Sequence, residues 1–296
     1  MVTTRDIACP VCTDAPGYRV APPGYRVVTV RWGVRIVKCA GCGLVFANPQ
    51  PSPEALEQYY DPQYFERNAA KFLRFPLDPE IELRFHRYLG ELRSVVPGGR
   101  VLDVGCGTGA FLTVARGAGY QTEGVELSPY ASQLGREKLG LDIRTGRLEE
   151  LESPVPYDGI TMWDFLEHTS DPVDILRSAR RLLADGGHLL MTVPNVGSWW
   201  ARCMGRRWVG FDKASEHLFY FTTKSLGGLL ERGGFEPVKI EPHSWVCTAD
   251  FLAQRGTKVW KPAGRLLSQV LARTRLDRRV VRFPSVNLLA VARKTA

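Results

Sequence analysis

The sequence predicts an α/β chain, a mostly parallel sheet covered by helices behind a small cysteine-bearing unit, and three observations carry that expectation. From Arg100 onward strand-like and helix-like runs alternate, as they do in βα units. The stretch "VLDVGCGTGAF" at 101–111 ends such a strand in Gly105, Gly107 and Gly109 and then enters a helix. Two CxxC pairs, Cys9/Cys12 and Cys39/Cys42, stand ahead of all this.

Composition sets the outer bounds. The 296 residues are 44% hydrophobic, enough for one full core and an appendage. No apolar run is long enough to span a bilayer, and "MVTTRDIACPVC" lacks a basic and then apolar leader, so the cytoplasm is the expected compartment. Paired cysteine spacing points to metal rather than to a disulfide framework, with Cys106, Cys203 and Cys247 scattered elsewhere. The net charge of +8 is concentrated in 255–282, where Arg255, Lys258, Lys261, Arg265, Arg273, Arg275, Arg278, Arg279 and Arg282 face only Asp277. This is one local basic surface, which argues against a globally basic nucleic-acid binder.

Taken in order, residues 1–48 form a leader with hairpin material at Tyr25–Val37 between its two knuckles. Residues 49–99 form a helical linker and cofactor cover. In it Ser52 caps and Pro53 opens one helix, and Asp78 with Pro79 opens another whose Ile81, Phe85, Tyr88, Leu89, Leu92 and Val96 share a stripe. Pro97, Gly98 and Gly99 end that helix. The catalytic-size domain follows at 100–296 with strands VLDVG, TEGVEL, LDIRTG, DGITMW and HLLMTV and helices from Ala110, Pro129 and Pro172. A tryptophan-rich lid insert occupies 195–222, then a helix at Thr223–Arg232 and a strand at Phe235–Ile240. A basic helical insert at 245–284 precedes the last strand, VNLLAVARK.

Glycines let a ligand approach the main chain, and the helix N-terminus beyond them offers free N–H groups. The spacing here is G-x-G-x-G, not the G-x-G-x-x-G of dinucleotide sites. Asp103, two residues before Gly105, would repel a pyrophosphate and attract an ammonium or sulfonium group. Glu126 follows at close to the roughly 20-residue offset at which an acid accepts from ribose hydroxyls. A nucleoside with a cationic tail and no phosphates satisfies both acids, and S-adenosylmethionine (SAM) fits that description.

"LDVGCGTG", "GVELS", "YDGITMWDFLEH", "LLADGGHLLMTVPN", "EHLFYFTTKSL" and "GGFEPVKI" resemble class I SAM-dependent methyltransferases over about residues 100–243 and the last strand. The leader "CPVC…CAGCGLVFANPQPSPEAL" resembles the zinc-binding leader of bacterial members that methylate sugars and natural products. The resemblance implies a doubly wound, Rossmann-like, seven-stranded sheet with its last strand antiparallel and a small zinc-ribbon-like unit in front. It implies Asp103, Gly105, Cys106 and Gly107 at the methionyl end, with Gly109 closing the loop, Glu126 at the ribose and Leu127 beside the adenine. Arg147 stands where relatives often place an acid, so main-chain groups around Arg147 and Leu148 take over the adenine contact.

"WDFLEH" offers Trp163 as a cofactor flank and two chemistries beyond it. In one, His168 is the general base for an acceptor hydroxyl, its ordinary pKa of about 6.5 suiting the task. In the other, Asp164, Glu167 and His168 hold a divalent ion such as magnesium, as similar text in ubiquinone-biosynthesis O-methyltransferases implies. A third reading leaves Glu167 and His168 as caps of the next helix. Glu216 and His217 of "EHLFYFT" are a second polar pair that binds or deprotonates the acceptor, or packs against Phe219 and Tyr220. Cys9, Cys12, Cys39 and Cys42 supply four thiolates for a closed structural zinc, with rubredoxin-like iron and a redox dithiol as the other readings.

The expected acceptor is a small-molecule, glycan or lipid-linked hydroxyl, with sugar C-methylation the nearest variant. An RNA or DNA methyltransferase is disfavoured: "WDFL" replaces the N-P-P-Y-like turn of amine enzymes, and no cysteine stands near it for cytosine C5 attack. A protein that only binds the cofactor is the third class. The basic segment 255–282, with Leu266, Leu267, Val270 and Leu271 on one face, either packs on the sheet or makes peripheral contact with a membrane.

Overall fold

The computed structural model describes residues 4–13, 24–52, 79–249 and 261–295, except 275, 277 and 278, together with the single positions 55 and 253. Its leader begins with β1 (Thr4–Arg5), then β2 (Tyr25–Arg31) and β3 (Val34–Cys39) as a hairpin, β4 (Val45–Ala47) beside β3, and β5 (Gln50–Pro51) paired back to β1. Trp32 and Gly33 turn the hairpin with φ of 52° and 80°, the left-handed pair that a two-residue turn needs to match strand twist. The helix expected after Pro53 lies outside the described residues, as do Asp78 and much of the expected cofactor cover. Ser52 does accept from the Ala55 N–H at 3.3 Å.

Helix α1 (Pro79–Val95) lays Phe85, Tyr88, Leu89 and Leu92 against the sheet, with Val96 just after it. The stripe was legible from spacing because residues three and four apart share a face. Beyond it run β6 (Arg100–Val104), α2 (Ala110–Gly117), β7 (Gln121–Glu126), α3 (Pro129–Leu139), β8 (Ile143–Thr145), β9 (Tyr157–Trp163), α4 (Pro172–Leu182) and β10 (Leu183–Pro194). Ser128 and Asp171 cap α3 and α4 by accepting from backbone N–H groups, each with a proline at the start of the helix. The lid holds α5 (Trp199–Met204) and β11 (Phe219–Tyr220), after which come α6 (Thr223–Arg232), β12 (Phe235–Thr248), α7 (Lys261–Arg273) and β13 (Val280–Lys294).

The main sheet has seven strands in the order β12-β13-β10-β9-β6-β7-β8, with β13 antiparallel to both neighbours and the rest parallel. This is the expected Rossmann-like sheet with one reversed strand. α1 and α2 cover one face, while α4 and α6 pack on the other. A parallel sheet gathers the carboxyl ends of its strands on one edge, and ligands of such sheets bind there.

Two features depart from the expected elements. β12 continues from Ile240 to Thr248 and β13 already starts at Val280, so the two ends of the expected insert at 245–284 are strand, with the Lys261–Arg273 helix between them. The leader is also not a sheet of its own, because β11 of the lid adds to β4 and completes a four-stranded sheet, β11-β4-β3-β2. Phe46 stacks on Phe219 across that junction at 6.2 Å.

Candidate functional site

The three loop glycines all have positive φ, but they serve different ends. A Cβ on Gly109 would meet Leu141 Cδ1 at 2.3 Å and Ile143 Cδ1 at 3.1 Å, so this glycine lets the start of α2 pack close to β8 and the turn before it. A Cβ on Gly105 would strike the Phe165 ring, whereas one on Gly107 would meet nothing within 4 Å. Gly107 is the position that borders open space. Gly109→Ala should therefore cost stability, by roughly 2 kcal/mol or more from overpacking and left-handed strain, and leave ligand affinity unchanged. Gly107→Ala should cost only the left-handed strain, about 1–2 kcal/mol, and weaken ligand binding, and paired melting and titration curves will separate them.

Asp103 and Glu126 end β6 and β7 as buried carboxylates. Asp103 accepts from Thr161 Oγ1 at 2.6 Å, but burial pushes its carboxyl up to about 7, with Glu126 adding repulsion. Glu126 is raised by burial too, although it accepts from the Gly107 N–H and the Ser128 N–H, both at 2.9 Å. A carboxylate has about four lone-pair sites, so Glu126 keeps room for ribose hydroxyls. Two buried acids with no ion pair among the described residues fit a ligand with a cationic tail, and Gly107 leaves the main chain open to it. SAM therefore fits the donor set.

The Cys106 Sγ lies against Gly124, and burial raises its thiol well above the ordinary range. Leu127 is 39% exposed at the end of β7. The Gly146 N–H donates to the Glu126 carbonyl at 3.0 Å, bringing the Arg147–Leu148 turn next to it. Leu148 is itself buried, so only its main chain can face a ligand. Trp163 stacks on Tyr88 at 4.1 Å and meets Phe111 edge-on at 5.2 Å, which locks the end of β9.

After β9 the chain does not form one helical face. Asp164 takes φ of 52°, rare for a non-glycine residue, and turns toward the last strand, where Oδ1 accepts from Asn287 Nδ2 at 2.6 Å and from Thr192 Oγ1 at 2.9 Å. Arg84 Nη1 of α1 lies 4.0 Å from Oδ2. Glu167 and His168 follow on a 3-10 turn, Leu166–His168, and gather with His217 instead, their ligating atoms within 4.8 Å of one another. The expected grouping of Asp164 with Glu167 and His168 is thus replaced by Glu167, His168 and His217. That nitrogen-rich set does not fit magnesium, which takes oxygen ligands, and Asp164 is engaged by Asn287 and Thr192.

In this second cluster burial favours the uncharged form of each group. Burial raises Glu167 well above the usual carboxylate range and lowers His168 to about 4, with Lys213 contributing; burial, then the His168 charge, lowers His217 well below the ordinary value. His168 Nδ1 lies 3.1 Å from the Glu216 carbonyl, a contact in which Nδ1–H donates, and its ring meets His217 edge-on at 4.7 Å. Glu216 itself is half-buried and contributes that carbonyl.

In the leader, Cys9 and Cys42 Sγ atoms are 3.5 Å apart, Cys12 and Cys39 3.7 Å, and all four fall within 4.8 Å of one another. A tetrahedral zinc with Zn–S of about 2.3 Å separates its sulfurs by about 3.8 Å, so the four fit a closed zinc site. The Leu44 N–H points at Cys42 Sγ from 3.4 Å, the kind of second contact that holds a metal thiolate.

Sequence reasoning missed Asn287, Thr192, Thr161, Arg84 and His243. Asn287 carried a signal, a lone amide in the otherwise apolar start of "VNLLAV". His243 pairs with Asn287 across β12 and β13, is buried, and has its imidazole lowered to about 4 by burial and then Arg87. Nothing in its local sequence marked it.

Comparison with known proteins agrees with this geometry. The profile of a methyltransferase domain matches residues 60–240. Ubiquinone biosynthesis O-methyltransferases of Xanthomonas campestris pv. campestris and Xylella fastidiosa are 34% and 33% identical over 110 residues, 35% of this chain. The matched stretch spans only 46% and 45% of those relatives' own length. Among solved structures, a SAM-dependent methyltransferase of Thermotoga maritima has a TM-score of 0.51 at 20% identity, covering 79% of this chain and 97% of that one. Magnesium protoporphyrin IX methyltransferase of Synechocystis with bound SAM also gives 0.51, at 12% identity over 82% and 96%.

Proposed function

Because this chain belongs to the methyltransferase-domain family and is a SAM-dependent enzyme, we propose that it transfers the methyl group to a hydroxyl oxygen of a small molecule. The observation that carries the choice of oxygen is the neutral imidazole of His168 just past the cofactor edge. Its Nδ1–H donates to the Glu216 carbonyl, which orients the ring and makes Nε2 the proton-accepting nitrogen of this tautomer. Cys106, the nearest thiol in sequence to the site, is packed against Gly124 and is no nucleophile. The curated relatives are named for O-methylation, which favours oxygen over carbon. They give no preference for the sugar, glycan or natural-product carriers expected from the leader, so the acceptor class is set here only as a hydroxyl.

In this mechanism the Glu126 carboxylate holds the ribose, Asp103 neutralises the cationic tail, and Trp163 walls the end of β9. SAM, when bound, supplies the methyl on its sulfonium. Asp164, fixed by Asn287 and Thr192, orients the acceptor, and His168 takes its proton as the methyl moves. Alignment of two bound reactants alone can supply about 7–11 kcal/mol, so the base has a modest share. The four cysteines would hold a structural zinc, which would order the leader and leave the methyl transfer to the residues above.

His168→Ala should lower kcat by about 10²-fold or more while leaving SAM affinity unchanged. Because burial holds His168 near 4, kcat at saturating SAM should stay flat from about pH 8 down to pH 6. Labelled methyl transfer to a panel of hydroxyl acceptors reads both. Unaltered turnover in the alanine variant would remove His168 from the step.

A further inference from the structure

We infer that α7 and the turn after it form a docking face for an anionic lipid surface. An ordinary surface helix turns its apolar stripe inward, whereas α7 leaves most of its stripe exposed. Leu266 is 63% exposed, Leu267 49% and Val270 47%, and Leu276 beyond the helix is 42% exposed. Leu266 and Val270 stand one turn apart with Leu267 beside them, so they make one stripe. Ser268 and Leu271 are half-buried, beside Leu267 at one edge of the stripe, while Gln269, Ala272 and Arg273 are exposed, so Leu266, Leu267 and Val270 stay open to solvent. Arg273, Arg279 and Arg282 are exposed alongside, and Asp277 is the one acid in 255–282.

An apolar stripe flanked by arginines is what an in-plane helix presents to negatively charged headgroups. A second copy of the chain is a poorer occupant, because a two-fold contact would set the same arginines against each other. No helix among the described residues is long and apolar enough to cross a membrane, so the contact is peripheral.

The strand register places this face. β10 pairs with β13 only as far as Pro194 with Asn287, while β12 and β13 continue together to Thr248 with Val280. The ribbon carrying α7 therefore extends past the carboxyl edge of the sheet, the edge that holds Asp103, Glu126 and Asp164. A docked chain turns that edge toward the lipid, which, resting on the proposed methyl transfer, suits an acceptor presented from a membrane.

Flotation of the full chain with vesicles tests docking without any activity readout. It should rise with vesicles of phosphatidylcholine and one-third phosphatidylglycerol, not with phosphatidylcholine alone, and fall with added salt. Leu266→Glu combined with Val270→Glu should reduce binding at least tenfold, and Arg279→Gln with Arg282→Gln by about fivefold per arginine. Unchanged melting and SAM titration will show that each variant is folded; the arginine pair leaves the stripe intact should the glutamates disturb it. Absence of wild-type flotation, or equal flotation of both variants, overturns the proposal. So does a wild-type dimer that the glutamate variant splits, since the stripe would then belong to a second copy.

Discussion

Replacing Cys39 with serine is expected to melt the leader and to take methyl transfer down with it. Cys39 is buried at the end of β3, and its sulfur lies 3.7 Å from Cys12. The hydrogen bond to Cys42, and then burial, push the Cys9 thiol far above its ordinary range, so four thiolates cannot share this space without a cation. Zinc supplies about 10–16 kcal/mol to small cysteine units, and losing one of four ligands should forfeit at least ~3 kcal/mol. At roughly 2–4 °C per kcal/mol, Tm should fall by roughly 10 °C.

The damage should spread because the leader is sewn to the lid. Val11, between the first two ligands, lies within 3.2 Å of a Cβ built on Gly228 of α6, and β4 holds β11, two residues beyond His217. Metal release read with a colorimetric chelator should accompany loss of activity, whereas the exposed Cys203→Ser should change neither. A Cys39→Ser chain that melts like the parent, or a purified parent without stoichiometric zinc, would remove the metal.

What the sequence could and could not disclose divides by distance along the chain. The α1 stripe and the helix starts at Pro129 and Pro172 are local patterns, and each stands where its spacing placed it. Gly109 shows the limit: its positive φ was legible, but only the fold reveals that Leu141 occupies its Cβ direction. Asp164 shows another, since one left-handed residue rotates its carboxylate away from Glu167 toward Asn287, more than a hundred residues on. Pairing of β4 with β11 joins segments about as far apart, and no periodicity encodes such a partner. For α7 the stripe was visible in the sequence, but which way it faced was not.

The remaining large effect belongs to the two buried acids. Glu126→Ala should weaken SAM binding roughly 150-fold, about 3 kcal/mol, because it deletes the ribose acceptor and leaves the Gly107 and Ser128 N–H groups without theirs. Asp103→Asn should cost roughly 30-fold, about 2 kcal/mol, by removing the charge opposite the cationic tail. Adenosine separates the roles: it carries the ribose and no cationic tail, so Glu126→Ala should abolish its binding while Asp103→Asn spares it. pH supplies an independent check. Asp103 sits near 7 in the free protein, so below that value it is protonated and SAM affinity should fall about tenfold per pH unit. For the unliganded fold the sign is opposite. A carboxyl raised above its unfolded value of about 3.9 stabilises most below that value and loses the contribution as pH rises through 7. The rise in Tm on adding SAM should therefore be larger at about pH 8 than at pH 6, and that difference should vanish in Asp103→Asn. Calorimetry showing the same affinity and slope in the variant would mean that the cationic end of SAM lies elsewhere.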